Sequence, residues 1–235
     1  MPPESLPARE RILLAALELL DEGGADAVST RAVTARAQVQ APAIYRLFGD
    51  KDGLLEAAVE RVYADWVAAK TTKVLPEDPV DAIRTGWDDA VRFGLDHPAA
   101  YRIVQARTDP GPAIALGSSL LREKVLLVAR AGRLRETPER ACSLLQAVGR
   151  GVTLTLLDTP PERRDLRMAE VARESTIAAI TTDPPAGGAV RLASTAVALR
   201  ALLPATERLL PAEKQLMEVW LERIADDAPR GGAPR

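Results

Sequence analysis

The stretch 29–55, STRAVTARAQVQAPAIYRLFGDKDGLL, decides the fold of the N-terminal part of this chain. Its first residues predict a short helix with Ser29 as N-cap. QVQ then makes a turn, and Pro42 suits the first turn of a second helix that begins near Ala41. The predicted inward positions of this helix-turn-helix are Val33, Ala37, Val39, Ile44 and Phe48.

The second helix is only about seven residues long, so packing must hold it in place. At 100° per residue, Arg46 points almost directly away from Ile44 and Phe48, while Tyr45 lies at the side. The outward face therefore combines small residues with one long cation. Lys51 opens the next helix, where a cation opposes the helix dipole. A bound phosphate would explain its position.

The charge pattern restricts any nucleic-acid surface to a local patch. The whole chain of 235 residues has a net charge of −2, so it does not coat nucleic acid uniformly. Between residues 29 and 51, however, four basic residues face one acidic residue, a local charge of +3. The basic residues are Arg31, Arg36, Arg46 and Lys51.

Several other classes of protein are disfavoured. The lone Cys142 rules out an internal disulfide and a thiolate metal cluster, and the lone His97 cannot form a histidine-rich site. We therefore expect no metal and no cofactor. The chain has no G-x-S-x-G, no P-loop and no metal-ligand spacing, so it is not expected to be an enzyme. It shows neither a signal peptide nor an apolar run approaching ~18 residues, which favours a cytoplasmic protein.

Proline and glycine divide the remaining sequence into pieces of helix length. Apolar residues recur in these pieces with helical spacing, and no stretch alternates long enough to predict a strand. The predicted fold is all-α. We expect an N-terminal three-helix helix-turn-helix domain over 1–55, a larger helical domain over 56–226 and a disordered tail over 227–235.

The segment from Arg9 to Leu55 resembles the TetR family of bacterial transcriptional regulators. The resemblance includes the first helix with its double glycine (23–24), the STRAVTARAQV helix and turn, and APAIYRLFGDKDGLL, which is similar to the family's aliphatic-Tyr-x-x-Phe followed by Lys and Leu. Gln38 stands where the family most often has glycine, and Gln40 where it often has serine. The turn must then form without the freedom of glycine at positive φ.

The resemblance implies a role for each residue of the motif. Thr30, Tyr45 and Lys51 would contact phosphates. The residues that would face the major groove are Arg31, Gln40, Ala41, Pro42, Ala43 and Arg46. It also implies a homodimer on a palindromic double-stranded DNA operator, because two copies would bind successive grooves.

The larger domain would dimerise the protein and bind an effector. The predicted dimer helices are 139–157 and 163–182. Gly149 and Gly151 lie in the first of them, which indicates either a close helix approach or a local kink. The predicted last helix, 212–226, would bury Leu216, Val219, Trp220 and Ile224 in its own core. A small, largely apolar effector would contact Trp87, Phe93, Tyr101, Cys142, Gln146 and Thr153.

These patterns favour a transcriptional regulator, most simply a repressor that a small molecule releases from DNA. The alternative is a dimeric helical ligand-binding or interaction module that has lost specific DNA binding. Retention of Tyr45, Arg46 and Lys51 argues against that alternative.

Overall fold

The computed structural model describes residues 6–72, 74, 76–107, 111–182 and 192–226, and in these ranges the chain is helical. The predicted tail 227–235 lies outside the described residues. The helices are α1 (Ala8–Ala27), α2 (Thr30–Ala37), α3 (Ala41–Phe48), α4 (Lys51–Thr71), α5 (Pro79–Asp96), α6 (Pro98–Ala106), α7 (Pro112–Arg130), α8 (Pro138–Asp158), α9 (Leu166–Ile180), α10 (Leu192–Leu202) and α11 (Pro211–Asp226). Over the described part of the chain, the only β-type pairing is an isolated bridge between Leu134 and Thr181. The all-α prediction is confirmed.

The double glycine breaks α1. Gly23 and Gly24 have non-helical backbone angles, with φ of −150° and +70°, and one further turn continues to Ala27. Before the break, α1 buries one continuous face, which consists of Ile12, Leu13, Ala15, Ala16, Leu19 and Leu20. This face gives α2, α3 and α4 a common apolar surface to pack on.

The helices form two compact units. The first comprises the residues up to 73 together with 92–118. In it α1 packs on α2, α3, α4 and α6, and an ion pair of 2.9 Å between Arg61 and Glu10 also joins α4 to α1. The predicted domain boundary at residue 55 stays a prediction. The first packing unit includes α4 and α6 in addition to α1, α2 and α3.

The second unit comprises 74–91 and the residues from 119 onward. Here α8 packs along α9, and α10 packs along α11. Arg84 on α5 donates hydrogen bonds to both carboxylate oxygens of Glu174 on α9. These bonds hold the pKa of Glu174 below its usual range. The pair fixes α5 against α9 at the border of the apolar core.

Two predictions about late helices can be compared with the structure. α8 runs unbroken from Pro138 to Asp158, and Gly149 lies against the ring of Trp87, whereas a Cβ at Gly151 would meet open space. A Cβ at Gly149 would lie at an ordinary contact distance from that ring, so a close helix approach requires glycine at neither position. The predicted burial of the apolar face of α11 is wrong: Leu216, Val219, Trp220 and Ile224 are all exposed, and only Leu221 on this helix is buried. α11 has α10 as its main neighbour, so one apolar side is covered and the other is not.

Candidate nucleic-acid interface

Helix α2 is fixed by its cap and its two buried residues. The Oγ of Ser29 accepts a hydrogen bond of 3.2 Å from the backbone N–H of Ala32, as the sequence predicted. Val33 and Ala37 are buried against α1. Thr30, the first helical residue, is half-buried, and Arg31 beside it is exposed. Both are thereby held at the N-terminal end of α2, where backbone N–H groups attract an anion.

The turn between α2 and α3 requires a left-handed residue, and that residue is Gln38. Its φ and ψ are 53° and 51°, and it is the only non-glycine residue with positive φ among the described residues. The N–H groups of Gln38 and Val39 both donate to the carbonyl of Thr34 at the end of α2. The turn therefore forms as the motif needs, with a Cβ in a conformation that favours glycine.

Helix α3 buries one side and presents the other. Ile44 is 1% exposed, and Phe48 is half-buried beneath the guanidinium of Arg9, 5.4 Å from its ring centre. Tyr45 is 55% exposed and Arg46 is exposed, so both side chains extend from the unit. The remaining predicted groove residues are Gln40 and Pro42, which are exposed, and Ala41 and Ala43, which are half-buried. Gln40 precedes the helix without a side-chain cap bond.

The start of α4 is packed tightly against the end of α3. Asp50 caps α4 by accepting a hydrogen bond of 2.8 Å from the N–H of Gly53. A Cβ at Gly53 would lie only 2.2 Å from the carbonyl oxygen of Phe48, so this position needs glycine for the close approach. Lys51 is exposed next to the cap. The arrangement brings the Lys51 side chain and the first N–H groups of α4 to the end of α3.

The positive charge of this region is more concentrated than the sequence indicated. Arg36 forms ion pairs with Glu22 at 2.7 Å and with Glu18 at 3.6 Å. The hydrogen bond from Arg36 lowers the pKa of Glu22, so this pair is charged at neutral pH. In the described ranges, Arg31, Arg46 and Lys51 form no ion pair. Three of the four counted cations therefore remain available to an anionic ligand.

Two positioning contacts of this region have no signal in the local sequence pattern. Arg11 on α1 donates to the carbonyl of Ala37 at 3.1 Å and to that of Leu6 at 3.2 Å, which ties the end of α2 to α1. Glu60 on α4 accepts a hydrogen bond from the N–H of Ala113 in the first turn of α7. The bonds from Arg11 to Ala37 and from Ala113 to Glu60 join residues distant in sequence, so they follow from the fold and not from spacing.

The predicted effector residues are divided between the two units. In the second unit Trp87 and Thr153 are buried near Gly149, whose carbonyl accepts a hydrogen bond of 2.8 Å from the Thr153 hydroxyl. The buried Nε1 of Trp87 has no acceptor among the described residues. Of the other two candidates in this unit, Cys142 is half-buried, with a thiol pKa raised by burial, and Gln146 is exposed.

Phe93 and Tyr101 belong to the first unit, and both are buried. The Phe93 ring lies 4.5 Å from the ring of Tyr63 and 4.7 Å from that of Trp66, measured between centroids. Burial raises the pKa of the Tyr63 phenol, which stays neutral. Phe93 is therefore a member of an aromatic cluster on α4 and α5, and the cluster alone explains its burial.

No group of His, Cys, Asp and Glu side chains in the described ranges is arranged to hold a metal ion. None of the described helices has the length and apolar character that crossing a membrane requires.

Residues 12–58 match the sequence model of a family described as bacterial regulatory proteins, tetR family. The chain is 39% identical over 70 residues to the tetracycline repressor protein class G of Vibrio anguillarum. The aligned segment covers 30% of this chain and 31% of that repressor. It is 35% identical over 78 residues to the HTH-type transcriptional regulator BetI of Burkholderia ambifaria, covering 32% of this chain and 40% of BetI. The matched segment thus spans 31% to 40% of the length of these relatives.

Solved structures extend the likeness to most of the chain. A TetR variant from Acinetobacter baumannii AYE in complex with minocycline matches with a TM-score of 0.57 and 25% identity, over 72% of this chain and 94% of that one. A putative tetR family transcription regulator from Shewanella sp. PV-4 matches with a TM-score of 0.56 over 76% of this chain and 100% of that one, at 17% identity. At this identity the second likeness concerns the fold alone.

Proposed function

We propose that this chain, whose residues 12–58 match the sequence model of the tetR family of bacterial regulatory proteins, is a transcriptional repressor that binds an operator and is released by a small molecule. The observation that carries the proposal is the outward side of α3. It combines small residues with Tyr45 and the unpaired Arg46, and Lys51 stands unpaired at the adjoining helix start. A nucleic-acid backbone would give these unpaired cations a common anionic partner.

The dimensions of α3 suit the major groove. Eight residues form a helix about 12 Å long, which fits across a groove about 12 Å wide. Pro42 and Ala43 allow close approach and contact with a thymine methyl group, while Arg46 reaches a guanine edge or a phosphate. Gln40 and Arg31 would add groove contacts from the preceding turn and from α2. Gln40 is exposed and makes no cap bond, so its amide is available to a base.

Phosphate contacts would fix the position of α3 in the groove. Thr30 lies at the N-terminus of α2 and Lys51 at the N-terminus of α4, so side chain and backbone N–H groups act together on an anion at each point. The Tyr45 hydroxyl, on an exposed side chain beside α3, would donate to a third phosphate. Such contacts carry affinity and register but no sequence information.

A single short helix reads few base pairs, so the functional species would be a homodimer on a palindromic operator. Two copies place two α3 helices in successive major grooves of the same DNA face. Such a regulator would act in the bacterial cytoplasm, where the DNA is.

The proposed effector is small and largely apolar, and binds outside the helix-turn-helix. The likeness to a TetR variant solved with minocycline supports a ligand-responsive regulator. The buried Trp87 N–H without an acceptor adds one requirement, since a ligand that reached it would need a hydrogen-bond acceptor. Release requires only a few kcal/mol of difference in effector affinity between the DNA-bound and the free conformations.

The proposal is tested by selection on fragmented genomic DNA from the source organism. The purified protein is incubated with the fragments at roughly physiological salt, and the retained DNA is sequenced. We expect enrichment of one or a few palindromic sites. The matched control is the double variant Arg46→Ala, Lys51→Ala, which keeps the buried side of α3 and should enrich none. Equal enrichment by both proteins, or uniform retention of all fragments, would contradict the proposal.

A further inference from the structure

Glu60 on α4 is half-buried, and one oxygen of its carboxylate has no partner. Its Oε1 accepts the hydrogen bond from the N–H of Ala113 in the first turn of α7. Its Oε2 is buried and accepts no hydrogen bond from the described residues. Within these ranges, no lysine, arginine or histidine forms an ion pair with Glu60. Burial removes the water that would solvate this oxygen, so the site calls for a positively charged or hydrogen-bonding group from outside the described chain.

The backbone of Gly111 covers Oε2 but does not satisfy it. A Cβ at Gly111 would overlap with this oxygen, so only glycine lets the chain pass so close to the carboxylate. The contact is with carbon, since Oε2 receives no hydrogen bond there. A ligand that reaches Oε2 therefore has to displace one glycine backbone and no side chain.

Aromatic rings lie on the same side of α4 as the carboxylate. Tyr63 follows Glu60 at i+3, and such positions are neighbours on a helix surface. The start of α7 runs along this side, because Ala113 is bonded to Glu60. One turn further along α7, a Cβ at Gly117 would lie 3.8 Å from the ring of Trp66. The carboxylate and the rings thus follow one another along the side of α4 that faces α7.

The rings form a cluster with the properties of a cation-binding surface. Tyr63 and Phe93 are buried, and the Phe93 ring lies 4.5 Å from that of Tyr63 and 4.7 Å from that of Trp66. The faces of aromatic rings attract cations, and they do so most strongly where water is excluded. The cluster already contacts one cation, because the Nζ of Lys70 lies 3.6 Å from the centre of the Trp66 ring.

We infer that Glu60, together with the rings of Tyr63 and Phe93, binds the positive group of the effector, which is an organic cation. Its class is a quaternary ammonium or a protonated amine on an apolar body. The inference rests on the proposed function, because it names the chemical class of the effector. An uncharged effector would gain nothing from Oε2, and an anion would be repelled by it. The residues of this cation site all belong to the first unit.

The test compares a cation with its uncharged isostere. Benzyltrimethylammonium and neopentylbenzene have the same shape and differ in one atom, nitrogen in the first and carbon in the second. Isothermal titration calorimetry measures the binding of each to the full chain without DNA. We expect the wild type to bind the cation about 10-fold more tightly than the isostere. Glu60→Gln keeps an oxygen for the N–H of Ala113 but removes the charge, so it should weaken cation binding roughly 10-fold and leave the isostere unaffected.

The matched control is Glu56→Gln, one turn earlier on α4. Glu56 is exposed and pairs with Arg107 at 3.4 Å, so its loss should change neither affinity. Thermal unfolding checks that Glu60→Gln keeps its fold. If it does not, Trp66→Leu tests the same site at a half-buried ring and should weaken the binding of the cation more than that of the isostere.

Three results would overturn the inference. They are equal wild-type affinity for the cation and the isostere, no binding of the cation at millimolar concentration, and an equal loss of cation affinity in Glu60→Gln and Glu56→Gln. Because no DNA is present, a chain that binds the cation but enriches no operator refutes the proposed function and leaves the cation site standing. A chain that enriches an operator but binds the isostere as well as the cation refutes only the cation site.

Discussion

The turn of the helix-turn-helix provides a prediction with a calculable magnitude. Gln38 adopts the left-handed conformation with φ of 53°, which costs a residue with a Cβ about 1–2 kcal/mol. Glycine removes this strain. Glycine also makes the unfolded chain more flexible, and this stabilises the unfolded state by about 0.5–1 kcal/mol. Gln38→Gly should therefore raise the free energy of unfolding by about 0.5–1 kcal/mol. At this chain length the melting temperature would rise by roughly 2 °C.

The assay is urea unfolding followed by far-UV circular dichroism, with all variants at one protein concentration because a dimer's stability depends on it. Gln38→Ala is the control, since it shortens the side chain but keeps the Cβ and the strain. It should differ from wild type by less than about 0.5 kcal/mol, as expected for an exposed side chain. If Gln38→Gly instead destabilised the protein while Gln38→Ala did not, the assigned backbone strain would be refuted.

Two further predictions concern the second unit. A Cβ at Gly149 would lie at the ordinary contact distance of 3.5 Å from the Trp87 ring. Gly149→Ala should therefore raise the free energy of unfolding, measured in urea, by about 0.5–1 kcal/mol. A loss of stability would show that the two helices approach too closely for a methyl group. Arg133 donates a hydrogen bond of 2.7 Å to Asp78. This bond is the main reason that the pKa of Asp78 lies below its usual value. Because the unfolded state then takes up this proton first, the stabilisation is present above the unfolded pKa of about 4 and is lost as the pH falls through the lower folded value. The Asp78→Asn variant should therefore be less stable than wild type at pH 7 and should lose less stability between pH 4 and pH 2. If the melting temperatures of the two proteins fell equally over this pH range, the Arg133–Asp78 pair would make no such contribution.

The N-terminal motif was predictable because each of its signals is local. Ser29, Pro42 and Asp50 act within three residues of their own positions, and Ile44 is buried through a helical period that the sequence displays. The conflict at Gln38 was also visible, since it concerns one residue in one turn. Local chemistry therefore determines both the shape of the motif and the side that it presents.

The remaining features depend on contacts between residues far apart in sequence. The sequence pattern counts Arg36 as a free cation, but in the fold this side chain is paired with Glu22, 14 residues away. The face of α11 has the period of a buried helix, but periodicity does not reveal whether the rest of the chain packs on that face. The sequence therefore predicts a buried Trp220, whereas this side chain is exposed.

The most direct test of the central claim is the salt dependence of affinity for a DNA site obtained by the genomic selection. Lys51 is unpaired and is assigned to a phosphate, whereas Arg36 is neutralised by Glu22 and Glu18. Each phosphate contact contributes about 0.9 to the slope of log K against log salt, so Lys51→Ala should reduce the slope of a dimer by about 1.8. Arg36→Ala should leave it unchanged. Equal slopes for wild type and Lys51→Ala, or a reduced slope for Arg36→Ala alone, would contradict the assignment of the DNA-binding surface.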